Sequence, residues 1–351
     1  MTMSQQRKRL LLVYQGYGQL TKTYLENEVE DLVRDHDVLI LNVYRPINRG
    51  SDMTNPFVDC RDRTFEEILD IAADFQPDHI HGQYLHLSPL LRRLASELSI
   101  SFSIRGHSSD ILEPEKMGTD RFPIAESIAA LRDERCAGFL AMPFAVPLLK
   151  AWGAPAEKVI TVPPVFSFDH FFDQSMNGSA IMNIGAALPK KNMGAYLKLA
   201  HSMPERCFDL YGIGFDVDKL QQQNRDMGGK VNIKAMIPYR DMRQEYKKHA
   251  WLVYTADPNV NSVGWPIALA EAQAAGVGVC MQNLRADLKH YLKDTGILFD
   301  SISDLPKILK HPPSTEMREK AFENARRLDY KYHRSRLTNL FPWNHATGAT
   351  V

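Results

Sequence analysis

The chain has 351 residues, 44% of them hydrophobic and 24% charged; this is room for two ordinary domains and excludes the disordered, collagen-like and disulfide-scaffold classes. Lysine plus arginine and aspartate plus glutamate both number 42, so the blanket basic charge of a nucleic-acid coat is missing and no nucleic-acid partner is expected. The balance hides a split: residues 1–165 hold 18 basic and 23 acidic side chains and the remainder 24 and 19, so a phosphorylated ligand favours the C-terminal half.

Residues 1–9 are polar and basic without an apolar core, which argues against a secretion signal. Residues 9–14 read as a buried strand that ends at Gly16 and Gly18, and a helical period follows over 21–34, the start of a βαβ unit. Further strands are expected at 38–43, 79–81, 101–104, 138–142 and 159–162, with helices at 64–75, capped by Thr64, and at 89–98. The longest apolar run, 138–149, is broken by Pro143 and Pro147 and falls far short of the roughly 18 to 20 residues that span a bilayer. The segment 163–179, with Pro163, Pro164 and a run of phenylalanines before Asn177 and Gly178, breaks both periods and divides the chain.

Alternation then restarts, with strands at 180–184, 207–211, 231–233, 251–254 and 278–281 and helices at 195–201, 217–223, 239–248 and 266–275. Residues 316–340 read as one or two terminal helices and 343–351 as a frayed tail. The pattern implies an α/β protein of two doubly wound, Rossmann-like domains whose strand ends face a central cleft. Cys60, Cys136, Cys207 and Cys280 stand far apart in no metal spacing, which suits a reducing cytoplasm.

Three constellations could carry chemistry. GWPIALAEAQAAG, residues 264–276, is a glycine loop entering a helix with Pro266 at its first position, and a helix start seats a phosphate. Glu271 lies about 500° further round that helix and could accept from a ribose diol. The bland alternative is an alanine-rich core helix with one solvated acid. IGAALPKKN, residues 184–192, ends a strand at Gly185 and presents Lys190 and Lys191, either as neutralisers of a diphosphate or as solvated loop lysines. YGIG, residues 211–214, permits close backbone approach, although one GxG is a weak signal.

Taken in order, IGAALPKKN, YGIG, GWPIALAEAQAAGVGV and TGILF resemble glycosyltransferase family 4, the retaining GT-B enzymes that use nucleotide sugars. Upstream, GYGQLTKTYLENEVEDL, PDHIHGQY, IRGHSSDI and KVITVPPVFSFDHF are similar to that family's first glycine turn, its two histidine-bearing strand ends and the approach to its interdomain linker. The resemblance covers nearly the whole chain. It implies an acceptor-binding domain over 1–165, a donor-binding domain over 166–325, and a terminal helix from 326 that packs back on the first domain. Lys191 matches the lysine on the donor diphosphate, Glu271 the ribose-binding glutamate, and Gly264, Trp265, Pro266 and Ile267 the loop beneath the sugar and phosphates. Gly16 and Gly18 match the first glycine loop, and Gly212 and Ile237 join the donor set. His107 matches the histidine near the transferred sugar and with Lys191 forms the catalytic pair; its alternative is an ordinary core histidine. His81 matches a strand-end histidine of more structural character.

Transfer from a nucleoside diphosphate sugar to a glycan, lipid-linked or small-molecule acceptor is implied, with no cofactor and no metal, in the cytoplasm or weakly peripheral at the inner membrane face. The adjacent DVD, Asp216 to Asp218, starts a solvated helix instead of holding a metal. Three residues depart from the family: Val263 stands where its first glutamate would fall, Ala186 where its arginine would, and Pro266 removes an amide donor. Asn261 or Ser262 are candidate substitutes for the missing acid. These departures keep two alternatives open, a catalytically weakened nucleotide-sugar-binding partner subunit and a GT-B nucleotide-sugar epimerase.

Overall fold

The computed structural model describes residues 7–17, 23–44, 55–113, 124–214, 216–260 and 262–344. They fall into two units, one made of the residues up to Pro163 with those from His333 onward, the other Pro164–Tyr332.

The first unit is built on strands β1 (Lys8–Tyr14), β2 (His36–Asn42), β3 (Val58–Asp59), β4 (His79–Gln83), β5 (Ser101–Arg105), β6 (Cys136–Ala141) and β7 (Val159–Thr161), in the spatial order β3-β2-β1-β4-β5-β6-β7. The second has β8 (Ala180–Ala186), β9 (Phe208–Ile213), β10 (Val231–Ile233), β11 (His249–Tyr254), β12 (Gly278–Gln282) and β13 (Ile297–Phe299), in the order β10-β9-β8-β11-β12-β13. All neighbouring strands run parallel. Each unit therefore has a doubly wound Rossmann-like sheet whose order reverses beside its first strand, between β1 and β4 and between β8 and β11. Helices on both faces explain the unbroken apolar strands: Leu10, Leu11, Leu12 and Val13 of β1 are fully buried, as is every residue of β11. The helix Phe65–Phe75 opens on the expected Thr64, whose hydroxyl accepts from the Glu67 amide while the Glu67 carboxylate accepts from the Thr64 amide.

Several boundaries differ from the sequence reading. Strands β3 and β13 have two and three residues, too few to show a period. The helix expected over 239–248 begins as a 3-10 turn, Tyr239–Asp241, and becomes α-helical only over Met242–Lys247. The units part at Pro163/Pro164, against the expected 165/166, and the chain re-enters the first unit at His333 instead of 326. The long helix Thr315–Arg327 thus stays with the second unit.

What returns is the short helix Arg334–Thr338 and the residues after it. Leu337, Leu340 and Phe341 join the apolar cluster of Leu10, Leu12, Val29 and Ile40. Phe341 is fully buried, with ring centroids 5.5 Å from His36 and 5.1 Å from His79. Trp343, expected in a frayed tail, instead lies 5.0 Å from the Phe341 ring and 5.6 Å from His36; aromatic packing overrides the polar sequence around it. Among the described residues no helix is long and apolar enough to cross a membrane.

Candidate active site

Parallel pairing gathers every strand's carboxyl end on one edge of its sheet, and at the reversal point the two loops leave towards opposite faces, opening a crevice. In the second unit those loops follow β8 and β11, and they hold the two lysines and the glycine loop singled out in the sequence. Lys190 and Lys191 lie on a 3-10 turn, Pro189–Lys191, ahead of the helix Met193–Ser202. The turn is tied to the start of the β11 loop: the Thr255 hydroxyl donates to the Lys191 carbonyl at 2.8 Å and accepts from Asn183 Nδ2 at 3.0 Å, while the Asp257 amide donates to the Lys190 carbonyl at 3.0 Å. Lys190 Nζ donates to the Ser262 carbonyl at 3.2 Å. Gly185, next to the end of β8, and Gly214, just past β9, have φ of +137° and +121°, values that glycine adopts without a Cβ clash.

Lys191 is half-buried, with its ammonium 4.2 Å from the centre of the Tyr254 ring. Among the described residues no carboxylate lies against it. Burial, with the neighbouring Lys190 charge adding to it, lowers its pKa to about 7. An anion placed there would reverse that shift, which is the electrostatic signature of a ligand site. Glu271 shows the opposite imbalance. It is buried in the helix Ile267–Ala274 with no cation paired to it among the described residues, and its Oε2 accepts from the Tyr246 hydroxyl at 2.8 Å. Burial raises its pKa to about 7 against the pull of that hydrogen bond. No hydrogen bond joins Glu271 to Lys191 among the described residues.

The loop between them is braced by residues the sequence reading missed. Arg285 donates to the Val263 carbonyl and pairs with Asp287 at 2.8 Å; Asp287 accepts from Trp265 Nε1 at 2.8 Å; and Tyr291 stacks on Trp265 at 4.6 Å while its hydroxyl donates to the Pro266 carbonyl at 2.6 Å. No local motif marks Arg285, Asp287 or Tyr291, because their role comes from contacts across more than twenty positions. Pro266 is the N-cap, and Ile267 takes the first helical position expected for it. Gly264 belongs to the same braced loop. Val263 is buried, and Ser262 is fully buried with its hydroxyl unpaired among the described residues. Asn261 lies outside the described residues.

Two further candidates sit on the same edge with weaker support. Ile237 is half-buried in the segment after β10. Gly212 is inside β9, where an added methyl would meet only ordinary contacts, the nearest at 3.7 Å; the glycine requirement therefore belongs to Gly214. Asp216 caps the helix Val217–Asp226 by position without a side-chain cap bond, and Asp218 is in its first turn. Among the described residues no three His, Cys, Asp or Glu side chains gather as a metal site.

The remaining candidates belong to the first unit. Gly16 directly follows β1 at that sheet's own reversal point, and Gly18 lies outside the described residues. His107 is buried just past β5; its amide donates to Asp110 Oδ1 at 2.9 Å and its Nε2 lies 2.7 Å from Gln83 Oε1. His81 is fully buried between Ser103 and Glu28.

No protein-family model matches the sequence, and neither does any curated protein. Solved structures do. HepE of Anabaena in complex with UDP and glucose is 13% identical, with 95% of this chain and 99% of that one covered at a TM-score of 0.76. Sucrose-phosphate synthase from Thermosynechococcus elongatus is 14% identical, with 97% and 100% covered at 0.72, and the lipopolysaccharide outer core galactosyltransferase WaaB is 14% identical, with 94% and 99% covered at 0.62. Matches over whole chains, together with two parallel sheets of seven and six strands, establish that this chain has the GT-B fold.

Proposed function

We propose that the chain is a retaining, metal-independent glycosyltransferase that takes its sugar from a nucleoside diphosphate sugar. One observation carries this reading: the Lys191 ammonium, over the Tyr254 ring and without an acid partner among the described residues, at the reversal point of the second sheet. A diphosphate supplies the charge that Lys191 lacks, and the amino end of the helix Ile267–Ala274 adds its dipole. Glu271 receives the ribose hydroxyls, whose donors stabilise its ionised form. The complexes of HepE with UDP and with UDP and glucose support the same ligand class.

In the reaction, the bond from the anomeric carbon to the diphosphate breaks as the acceptor oxygen bonds to that carbon on the same face. Lys191 stabilises the departing diphosphate, and a phosphate oxygen takes the acceptor proton. Preorganised charge of this kind is typically worth about 3–4 kcal/mol per donor. The second unit carries the donor; the first carries the acceptor, a glycan, lipid-linked or small-molecule hydroxyl, with His107 acting on the transferred sugar. Four unpaired thiols support a cytoplasmic setting. Mass spectrometry of a donor panel with candidate acceptors tests the reading: nucleoside diphosphate release that depends on Lys191 is expected, and an intact donor throughout would refute transfer.

Buried Val263 and small Ala186 favour one rival, a partner subunit that binds the nucleotide sugar and does not turn it over. Single-turnover incubation separates them, since a binder returns the donor unchanged.

A further inference from the structure

The first unit buries a chain of polar side chains that sugar transfer does not by itself explain. Alternate residues of a strand share a face, so β4 sends His79, His81 and Gln83 one way. The register pairs them with Ser101, Ser103 and Arg105 of β5. The helix Thr23–Asp35 lays Glu28 on this face, fully buried. Glu28 Oε2 is 2.6 Å from Arg105 Nε, and its Oε1 is 3.1 Å from His81 Nε2 and 2.7 Å from Gln83 Nε2.

Burial pushes the Glu28 carboxyl up, but Arg105, His81 and Gln83 outweigh it and hold its pKa at about 2. The group is ionised and can only accept. Gln83 must then turn its amide N–H to Glu28 and its carbonyl to His107, whose Nε2 lies 2.7 Å away. A carbonyl also only accepts, so a proton sits on His107 Nε2. The other arm obeys the same rule. His81 Nε2 donates to Glu28, the Ser103 hydroxyl to His81 Nδ1 at 2.8 Å, His79 Nε2 to Ser103 at 2.9 Å, and the Ser101 hydroxyl to His79 Nδ1 at 2.7 Å. With each imidazole carrying one proton, every proton in both arms points towards Glu28.

The backbone beside Gln83 is fixed as well. Tyr84 is held at φ +83°, its amide donates to the Arg105 carbonyl at 2.7 Å, and its ring lies 4.5 Å from His107. A positive-φ tyrosine persists only where its surroundings over-determine it.

We propose that Glu28, acting through Gln83, is a positioning residue that holds His107 as its Nε2-protonated tautomer. The bearing on turnover rests on the role given to His107 above; the tautomer does not. Long-range proton–nitrogen NMR of the full chain with 15N-labelled histidine reads it directly, with the His107 signal identified by its loss in His107→Ala. Wild-type protein should show His107 protonated on Nε2. Gln83→Met should mix or reverse the tautomer, while Ser103→Ala, which cuts only the other arm, should leave His107 unchanged. A wild-type His107 protonated on Nδ1, or an unchanged tautomer in folded Gln83→Met, would overturn the proposal, and the wild-type spectrum decides even where Gln83→Met fails to fold. Failure of the protein to bind any nucleotide would refute the functional reading and leave this result standing.

Discussion

The two sheets share one strand order and differ in how charge is settled at their carboxyl ends. In the first unit the acid Glu28 meets Arg105, His81 and Gln83, and its charge is answered within hydrogen-bond reach. In the second, Lys191 has a lysine for its nearest charge and Glu271 only a tyrosine hydroxyl, and burial leaves both pKa values about 7. Buried charges that are paired hold structure together, whereas removing one partner leaves the other exposed to its full desolvation cost. Buried charges left unpaired are tolerated where a ligand completes them. The same topology thus settles its buried charge in one unit and, on the reading proposed above, leaves the other a socket for a ligand to complete.

The sharpest way to break this contrast is at Glu28. Glu28→Ala leaves Arg105 buried and unpaired, and denaturant unfolding should show a loss of about 3–5 kcal/mol; a loss under about 1 kcal/mol would mean the first unit is not charge-settled. Because its folded pKa is depressed to about 2, the Glu28 contribution is complete above the ordinary carboxyl range near 4.5 and is lost as pH falls towards 2. Next in size, Lys191→Ala should weaken nucleoside diphosphate binding by roughly 10- to 100-fold, the range of a charge-assisted hydrogen bond. The thermal midpoint should barely move, since no carboxylate loses a partner.

A smaller effect follows pH. Lys191 must be protonated to hold a diphosphate and is half neutral near pH 7 in the free protein, so binding should weaken progressively from pH 6 to pH 9. Lys191→Arg should flatten that slope. The smallest effect is at Glu271, whose folded pKa is raised to about 7. Its contribution is fully present below the unfolded value near 4.5 and is lost as pH rises through 7. Glu271→Gln should therefore match wild-type stability at pH 4.5 and exceed it at pH 8; equal stability at both would show that the carboxyl is not strained.

Much of this was legible in the sequence, for identifiable reasons. Apolar runs located β1, β8 and β11, the first two with glycine beside them, and the capping pattern at Thr64 fixed a helix start to the residue. Lys191, Glu271 and residues 264–267 stood out as candidates because each sits in a local motif. The socket's bracing by Arg285, Asp287 and Tyr291, and the Tyr246 partner of Glu271, arise only when distant segments meet. The polar ladder was present as alternating His79, His81, Gln83 and Ser101, Ser103, Arg105, but its meaning depends on strand register and on Glu28 arriving from a helix. The packing of Phe341 and Trp343 against His36 likewise has no local signal, so the sequence alone places Trp343 in a loose tail whose residues 345–351 lie outside the described ones.

Calorimetric titration of a panel of nucleoside diphosphates and their sugar esters into wild-type and Lys191→Ala protein, at pH 6.5 and 8.5, bears most directly on the open socket. The account predicts that at least one panel member binds wild type more tightly at the lower pH and that Lys191→Ala loses most of that affinity. Equal binding by both proteins, or no binding by wild type at millimolar concentration, would contradict it.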